Sequence, residues 1–333
     1  MTNHKPEQLE TMNILITGAA GYLGSQLTRH LLCEGHDVIA FDNMFYGGEA
    51  LLFGYSSPAL EIVRGDVRNA SAIKEQIQKA DCLIYLAGIV GEPACNTAPD
   101  IAEEINLVAP GNCLHLAEES EIKQVIFIST CSNYGVSAPN ALANESSDLN
   151  PLSGYAEAKV STEAYLLGQF TKPCTILRLG TLCGPSTRMR FDLLVNEIAR
   201  ACALNQEIEI YTPEAWRPYL SLRDAIRCIG KVVDNPPRSG TEVYNVVAEN
   251  LTKSALINTV HKHYPDMQVH YVDKVPDLRD YRVDGSRFIH RFGNLPTTSI
   301  EQTFLEVAKA VEQGIFQNPE SPIHSAIPIQ PFV

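Results

Sequence analysis

Met12-Asn-Ile-Leu-Ile-Thr17-Gly18-Ala-Ala20-Gly21-Tyr22-Leu23-Gly24 is the stretch that decides the fold. An apolar run at 12–17 leads into a glycine-rich turn, which opens an amphipathic segment at 22–33. Gly35 then precedes a second apolar run at 37–41. Strand, turn, helix and strand within about thirty residues make one βαβ unit. Glycines in such a turn let the backbone approach a pyrophosphate, and the helix that follows aims its first N–H groups at it. The spacing GxxGxxG is one residue longer between the first two glycines than the general dinucleotide fingerprint. A bare structural turn is the alternative reading.

The acid Asp42 closes the second run, where it suits the adenosine ribose hydroxyls and repels a 2′-phosphate. Its neighbours Phe41 and Asn43 are not basic, so NAD is favoured over NADP. The candidate cofactor residues of this unit are Gly18, Ala20, Gly21, Tyr22, Leu23, Gly24, Asp42 and Asn43. Two later strand ends fit the same site. Asp66-Val67 offers a carboxylate to an adenine amino group, and Leu86-Ala87-Gly88 offers small residues that a cofactor can pass closely. Each also fits an ordinary strand-end turn.

Apolar runs recur at 60–63, 82–87, 125–129 and 175–179, with helical patterns at 70–79, 101–118 and 155–170. Apolar runs alternating with helices predict a parallel sheet covered on both faces. The predicted fold class is therefore α/β: a doubly wound Rossmann sheet at 12–180, to which some later segments return. A smaller, irregular α/β substrate domain follows at 181–317, and a Pro-rich tail at 318–333. In that second half, helical stretches fall at 191–203, 254–263 and 300–313, and strand-like pieces at 207–211, 219–222, 243–247 and 269–272.

Twenty-six Lys and Arg against thirty-nine Asp and Glu leave a net charge of −13, a poor balance for neutralising nucleic-acid phosphates. An anionic small molecule needs only a few local arginines or a helix N-terminus. No apolar run reaches transmembrane length, and residues 1–11 lack the apolar stretch of a signal peptide. Nine cysteines, an odd number with no CxxC pair, predict reduced thiols and a cytoplasmic protein.

Tyr155 and Lys159 stand four apart on a predicted helix and share one face. A phenol with a pKa of about 10 is a poor base at neutral pH. A lysine cation and a positive nicotinamide beside it favour the phenolate. Thr130 closes the fifth strand at the ligand-binding carboxyl edge, where its hydroxyl can hold the substrate hydroxyl that Tyr155 deprotonates. Taken alone, the pair also fits an exposed helix surface.

TGAAGYLG at 17–24, Asp42, GDV at 65–67, Asn106, STCSNYG at 129–135 and Tyr155-Ala-Glu-Ala-Lys159 together resemble the extended short-chain dehydrogenase/reductase family, in its NAD-dependent nucleotide-sugar epimerase and dehydratase branch. The likeness spans about 12–317. It implies a Rossmann domain with tightly bound NAD and a C-terminal domain that holds a nucleoside-diphosphate sugar. It further implies reaction through transient oxidation at C4 of the sugar, and a cofactor role for Asn106. The family's Ser/Thr–Tyr–Lys triad maps to Thr130, Tyr155 and Lys159. A homodimer through the helices at 101–118 and 155–170 is also implied.

The chain departs from that pattern at several places. In the family's 4,6-dehydratases the triad threonine is followed by Asp and Glu; here Cys131 and Ser132 stand there, which disfavours ordinary dehydration. The Cys131 thiol could exchange a proton at C3 or C5, or fill a strand end. Glu92, in a loop after the fourth strand, is a candidate substrate residue or a solvated acid. Arg178-Leu-Gly-Thr-Leu-Cys-Gly-Pro185 resembles RxxNxYGP, with Thr181 for Asn and Cys183 for Tyr. Arg188, Arg190 and Arg217 fall where the branch binds nucleotide and diphosphate, and Arg279 or Arg282 completes the grip.

The leading expectation is an NAD-dependent nucleotide-sugar epimerase acting at C4. A reductase of 4-keto nucleotide sugars, an atypical dehydratase or C3/C5 epimerase using Cys131, and a non-catalytic NAD sensor are the alternatives. An intact triad weighs against the sensor.

Overall fold

The structure, a computed structural model, describes residues 10–137, 141–273 and 278–326. The first half runs β1 (Asn13–Thr17), α1 (Gly24–Cys33), β2 (Asp37–Asp42), β3 (Leu60–Arg64), α2 (Ala70–Ile77), β4 (Cys82–Tyr85), α3 (Glu92–Thr97), α4 (Pro99–Glu103), α5 (Ala109–Glu118), β5 (Gln124–Thr130), α6 (Gly154–Gly168) and β6 (Cys174–Leu179). The second runs β7 (Thr181–Cys183), α7 (Leu194–Ala203), β8 (Ile208–Ile210), β9 (Trp216–Ser221), α8 (Leu222–Val233), β10 (Thr241–Val246), β11 (Glu249–Thr252), α9 (Lys253–His263), β12 (Val269–Tyr271), α10 (Ser286–Phe292) and α11 (Ile300–Glu312).

Seven parallel strands form the main sheet in the order β3-β2-β1-β4-β5-β6-β10. Strand order reverses between β1 and β4, and a crevice opens there beyond the strands' carboxyl ends. The β1 run is apolar on both sides because both faces are covered. Ile14 and Ile16 pack with Leu27 and Leu31 of α1 and Ile229 and Val232 of α8, whereas Leu15 packs with Phe41, Ile73 and Leu114 opposite. The segment expected at 243–247 is β10, which returns to the main sheet and pairs with β6 from Thr241↔Cys174 to Val246↔Leu179.

Strands β11, β9 and β7 make a small mixed sheet, and β12 pairs with β8. Val195 and Ile198 of α7 and Phe304 and Val307 of α11 belong to the same apolar cluster as Ile14 and Ile16, so the second half packs onto one face of the sheet.

Two local expectations change. Residues 92–97 form the short helix α3 rather than a loop, with Pro93 in its first turn. The helix expected at 101–118 is broken by a π-helical turn, Glu104–Val108, between α4 and α5. Pro110 lacks the N–H that would bond the Asn106 carbonyl, which is where the α-helical pattern shifts.

Candidate active site

One cleft of about 380 Å³ lies at the carboxyl ends of the main sheet's strands. Its floor is the glycine turn. Gly18 has φ +76°, and a Cβ there would sit 3.0 Å from the Ala87 nitrogen. A Cβ at Gly24 would meet the Gly18 carbonyl oxygen at 2.1 Å, so no side chain fits where α1 leaves the turn. Thr17 Oγ1 accepts from the Leu86 and Ala87 amides, both at 3.2 Å, which pins the end of β4 against that of β1.

The Asp42 carboxylate accepts from Ala20 N at 3.0 Å and Met44 N at 2.7 Å, so the turn and the end of β2 hold each other. Burial raises the Asp42 carboxyl, and these two amides and the charge of Arg188 oppose the rise. Gly18, Gly21, Tyr22, Leu23, Gly24, Asp42, Asn43, Asp66, Val67, Leu86, Ala87 and Gly88 all line the cleft. Ala20 is buried behind it. Asn106 is not on the wall. The π turn aims its amide at Ile89, accepting from the Ile89 N–H at 2.8 Å and donating to its carbonyl at 2.9 Å. Asp66 is ion-paired with Arg68 at 2.8 Å.

A narrow glycine floor, a helix N-terminus and a carboxylate at the end of β2 suit a dinucleotide. The missing Cβ atoms at 18 and 24 let the turn fold tightly onto the end of β4 and onto the start of α1, the compact strand–turn–helix shape that presents a helix N-terminus to a pyrophosphate.

At the cleft's other end stand Thr130, Tyr155 and Lys159, all on its wall. Ser153 caps α6 by accepting from Ala156 N at 3.3 Å, which sets Tyr155 in the first turn. Lys159, only 4% exposed, donates to the Ile128 carbonyl at 2.8 Å, and its ammonium lies 5.9 Å from the centre of the Tyr155 ring. Burial lowers Lys159 to about 8, with Glu163 opposing. Removal from water pushes the Tyr155 phenol up to about 12, Cys95 adds to this, and Arg190 works against it. The sequence leads one to expect a lowered phenol; in the protein's own field, desolvation outweighs the charge of Arg190. Thr130 Oγ1 lies 2.8 Å from Ser132 Oγ and accepts from Ser132 N at 3.1 Å, capping the turn Cys131–Tyr134.

Glu163 escaped the sequence reading. It sits one further turn along the face of α6 that carries Tyr155 and Lys159, a four-residue spacing that was there to be read. Only 1% exposed, it accepts from Arg178 Nη2 at 2.6 Å, from Asn133 Nδ2 at 2.9 Å and from Ser129 Oγ. Arg178 also donates to the Tyr134 hydroxyl at 2.9 Å, so a buried polar network braces the wall behind the triad.

The remaining candidates separate. Cys131 turns away from the cleft: it is 1% exposed, donates to the Arg178 carbonyl at 3.2 Å and packs with Tyr134, Ala143, Val247, Tyr281 and Val283. Burial pushes its thiol well up, which leaves no thiolate for proton exchange. Ser132 is buried against Thr130. Thr181 and Arg190 line the cleft, and Arg190 is forked onto Asp192. Arg188 also lines it, but at the Asp42 end, over the Tyr46 ring at 4.3 Å. Arg217 is buried and donates to the carbonyls of Trp216 and Arg279, and the Arg282 guanidinium lies 5.1 Å from the centre of the Trp216 ring. Arg217 belongs to β9, the strand whose Pro218 abuts Gly180 and whose Tyr219 pairs with Thr181, and the segment carrying Arg279 and Arg282 packs against it through the Arg279 carbonyl and the Trp216 ring. Glu92 opens α3, but its side chain lies outside the described residues. All nine cysteines are free. Among the described residues no helix is long and apolar enough to cross a membrane, and no cluster of His, Cys, Asp and Glu is placed to hold a metal.

Comparison with known proteins agrees with this architecture. A UDP-glucose 4-epimerase of Mycolicibacterium smegmatis is 24% identical over 311 residues, covering 90% of this chain and 98% of that one. The UDP-glucose 4-epimerase of Thermotoga maritima, solved with UDP-glucose, superposes with a TM-score of 0.81 at 22% identity, covering 92% of this chain and 100% of that one. The UDP-glucuronic acid 4-epimerase of Bacillus cereus, solved with UDP-glucuronic acid and NAD, gives 0.81 at 22% identity, covering 91% and 99%. Residues 14–247 match the model of the NAD dependent epimerase/dehydratase family, and the chain is an enzyme of that family.

Proposed function

We propose that the protein is a nucleoside-diphosphate-sugar epimerase that inverts C4 through transient oxidation. The observation that carries this reading is the cleft itself. One wall joins the glycine turn and Asp42 to Thr130, Tyr155 and Lys159, and the positions after Thr130 offer no carboxylate for eliminating water. The NAD-dependent family and the similarity to 4-epimerases support it.

In this reading Gly18, Gly21 and Gly24 carry the cofactor's pyrophosphate, Asp42 its adenosine ribose, and Asp66, Val67 and Leu86–Gly88 flank its path. When bound, NAD would supply a reversible hydride acceptor for the oxidation at C4. Tyr155 Oη takes the proton of the C4 hydroxyl and later returns it. Lys159, still mostly cationic at pH 7, favours the phenolate electrostatically. Thr130 Oγ1 orients the same hydroxyl, with Ser132 fixing the threonine's rotamer. Arg190 and the trio of Arg217, Arg279 and Arg282 hold the substrate's diphosphate side. Asn106 acts at one remove, by fixing Ile89 on the loop after β4. Cys131 is packing. A homodimer on α5 and α6 belongs to the same proposal, and exposed Val108 and Leu167 beside and on those helices support it.

The test is product analysis in D₂O with UDP-, dTDP-, GDP- and CDP-sugars and NAD⁺. A new isomer without carbon-bound deuterium is expected, because hydride returns directly. Deuterium on carbon would reassign the reaction to C3 or C5, and loss of water to a dehydratase. Unchanged sugars, together with turnover of a 4-keto sugar at the expense of NADH, would make it a reductase.

A further inference from the structure

The outer wall of the cleft at the Asp42 end is built by neither the glycine turn nor the sheet. Ala326, 5% exposed, lines the cleft together with Asp42, Asn43, Tyr46 and Arg188. It belongs to residues 321–326, in the Pro-rich tail to which the sequence assigns no structure. Ser321 caps a short 3₁₀ turn, Pro322–His324, by accepting from Ile323 N.

Three hydrogen bonds then tie the segment down from two separate parts of the chain, the 188–191 segment and Tyr46. Phe191 N donates to the His324 carbonyl at 2.8 Å, Arg188 Nη2 to the Ser325 carbonyl at 2.7 Å, and the Tyr46 hydroxyl to the Ala326 carbonyl. The rings of Phe191, Phe316 and His324 meet edge to face, with centroids 5.1 to 5.6 Å apart.

Arg188 is the centre of this arrangement. Its guanidinium stacks on Tyr46, bonds the carbonyls of Met189 and Ser325, and is close enough to Asp42 to influence its ionisation. It is 8% exposed, and its Nε has no hydrogen-bond partner within the described protein.

We propose that residues 321–326 are a retaining strap, clamped by Arg188, Tyr46 and Phe191, that closes the adenosine end of the cofactor cleft and keeps NAD resident between turnovers. This rests on the proposed reading of the cleft as the site of an internal redox cycle. Such a cycle ends with the cofactor in its starting oxidation state, so exchange with solution serves no purpose in it. A reductase would have to release the oxidised cofactor on every turnover, and a fixed strap would slow it. Leaving therefore requires the strap's three bonds and its ring cluster to break first.

The experiment uses the full chain loaded with radiolabelled NAD⁺ and chased with excess unlabelled NAD⁺, which reads the release rate without any sugar present. His324→Ala removes a ring of the cluster without touching the cleft wall, and Tyr46→Phe removes the bond to Ala326 while keeping the ring under Arg188. Each variant should release label faster than the wild type, and the double variant about tenfold faster or more, as expected when tight binding is governed by dissociation. Thermal unfolding of each variant should stay cooperative, so that a folding defect is separated from strap release. Equal release rates in folded wild type and double variant would overturn the strap and leave the cofactor reading standing. A wild type that takes up no NAD⁺ would overturn both.

Discussion

Lys159 should cost the protein stability at neutral pH, and the cost should fade as the solution becomes alkaline. Its ammonium is 4% exposed and held at about 8 by burial, against an ordinary lysine value of 10.5. That depression amounts to about 3 kcal/mol of native-state destabilisation at pH 7. Between about 8 and 10.5 the unfolded chain holds the proton that the folded chain has already released, so folding becomes more favourable as pH rises through that window. Lys159→Met removes the charge at similar volume and also loses the bond to the Ile128 carbonyl, worth about 1 kcal/mol with no pH dependence. Nucleotide-stripped Lys159→Met should therefore be the more stable protein at pH 7. The wild type should regain about 2 kcal/mol on it by pH 10. Urea unfolding of both proteins at several pH values measures the difference, and titrations common to the two cancel. A difference that stays flat with pH, or a wild type that loses ground as pH rises, would refute the reasoning. If stability rises with pH as expected, the retained lysine is an instance of stability given up at a site that function holds in place.

Tyr155→Phe should keep NAD and nucleotide-sugar binding, measured by calorimetry, and lose turnover by about two to four orders of magnitude; near-normal turnover would remove Tyr155 from the mechanism. Glu163→Ala strands the buried Arg178 charge and should cost about 3–5 kcal/mol in urea unfolding. Glu163→Gln, which keeps acceptors for Ser129 and Asn133, should cost less. Cys131→Ser should leave turnover within about twofold, because its thiol faces Arg178 and the satellite cluster rather than the cleft. Gly24→Ala should abolish NAD retention, since its Cβ would lie 2.1 Å from the Gly18 oxygen, a backbone atom that cannot yield.

What was legible in the sequence was whatever is encoded locally. Residues 12–42 carry strand, turn, helix and acid in one stretch, and Tyr155 and Lys159 need only the helical period to meet. Thr130 followed from its place at a strand end. The rest depends on neighbours far along the chain. Cys131 follows a cleft residue in sequence, yet its direction is set by packing against Val247 and Tyr281 more than a hundred residues later. Arg188 was placed with the substrate's phosphates by position; its actual partners are Tyr46 and Ser325, each about 140 residues distant. Composition alone makes the tail look structureless, because Pro-rich sequence shows no periodicity. The order of residues 321–326 comes from carbonyls that accept from donors far along the chain.

The late arrival of β10 bears on how the chain can be synthesised and cut. Sixty-odd residues separate the end of β6 from Thr241, so β6 leaves the ribosome as an edge strand whose final partner does not yet exist. Throughout that interval its outer row of amides and carbonyls is open to a strand of another nascent chain. A fragment ending near residue 180 would keep that edge permanently. It would hold the whole glycine turn and triad and still be prone to associate through β6, so a minimal cofactor-binding piece of this protein has to reach at least Val246.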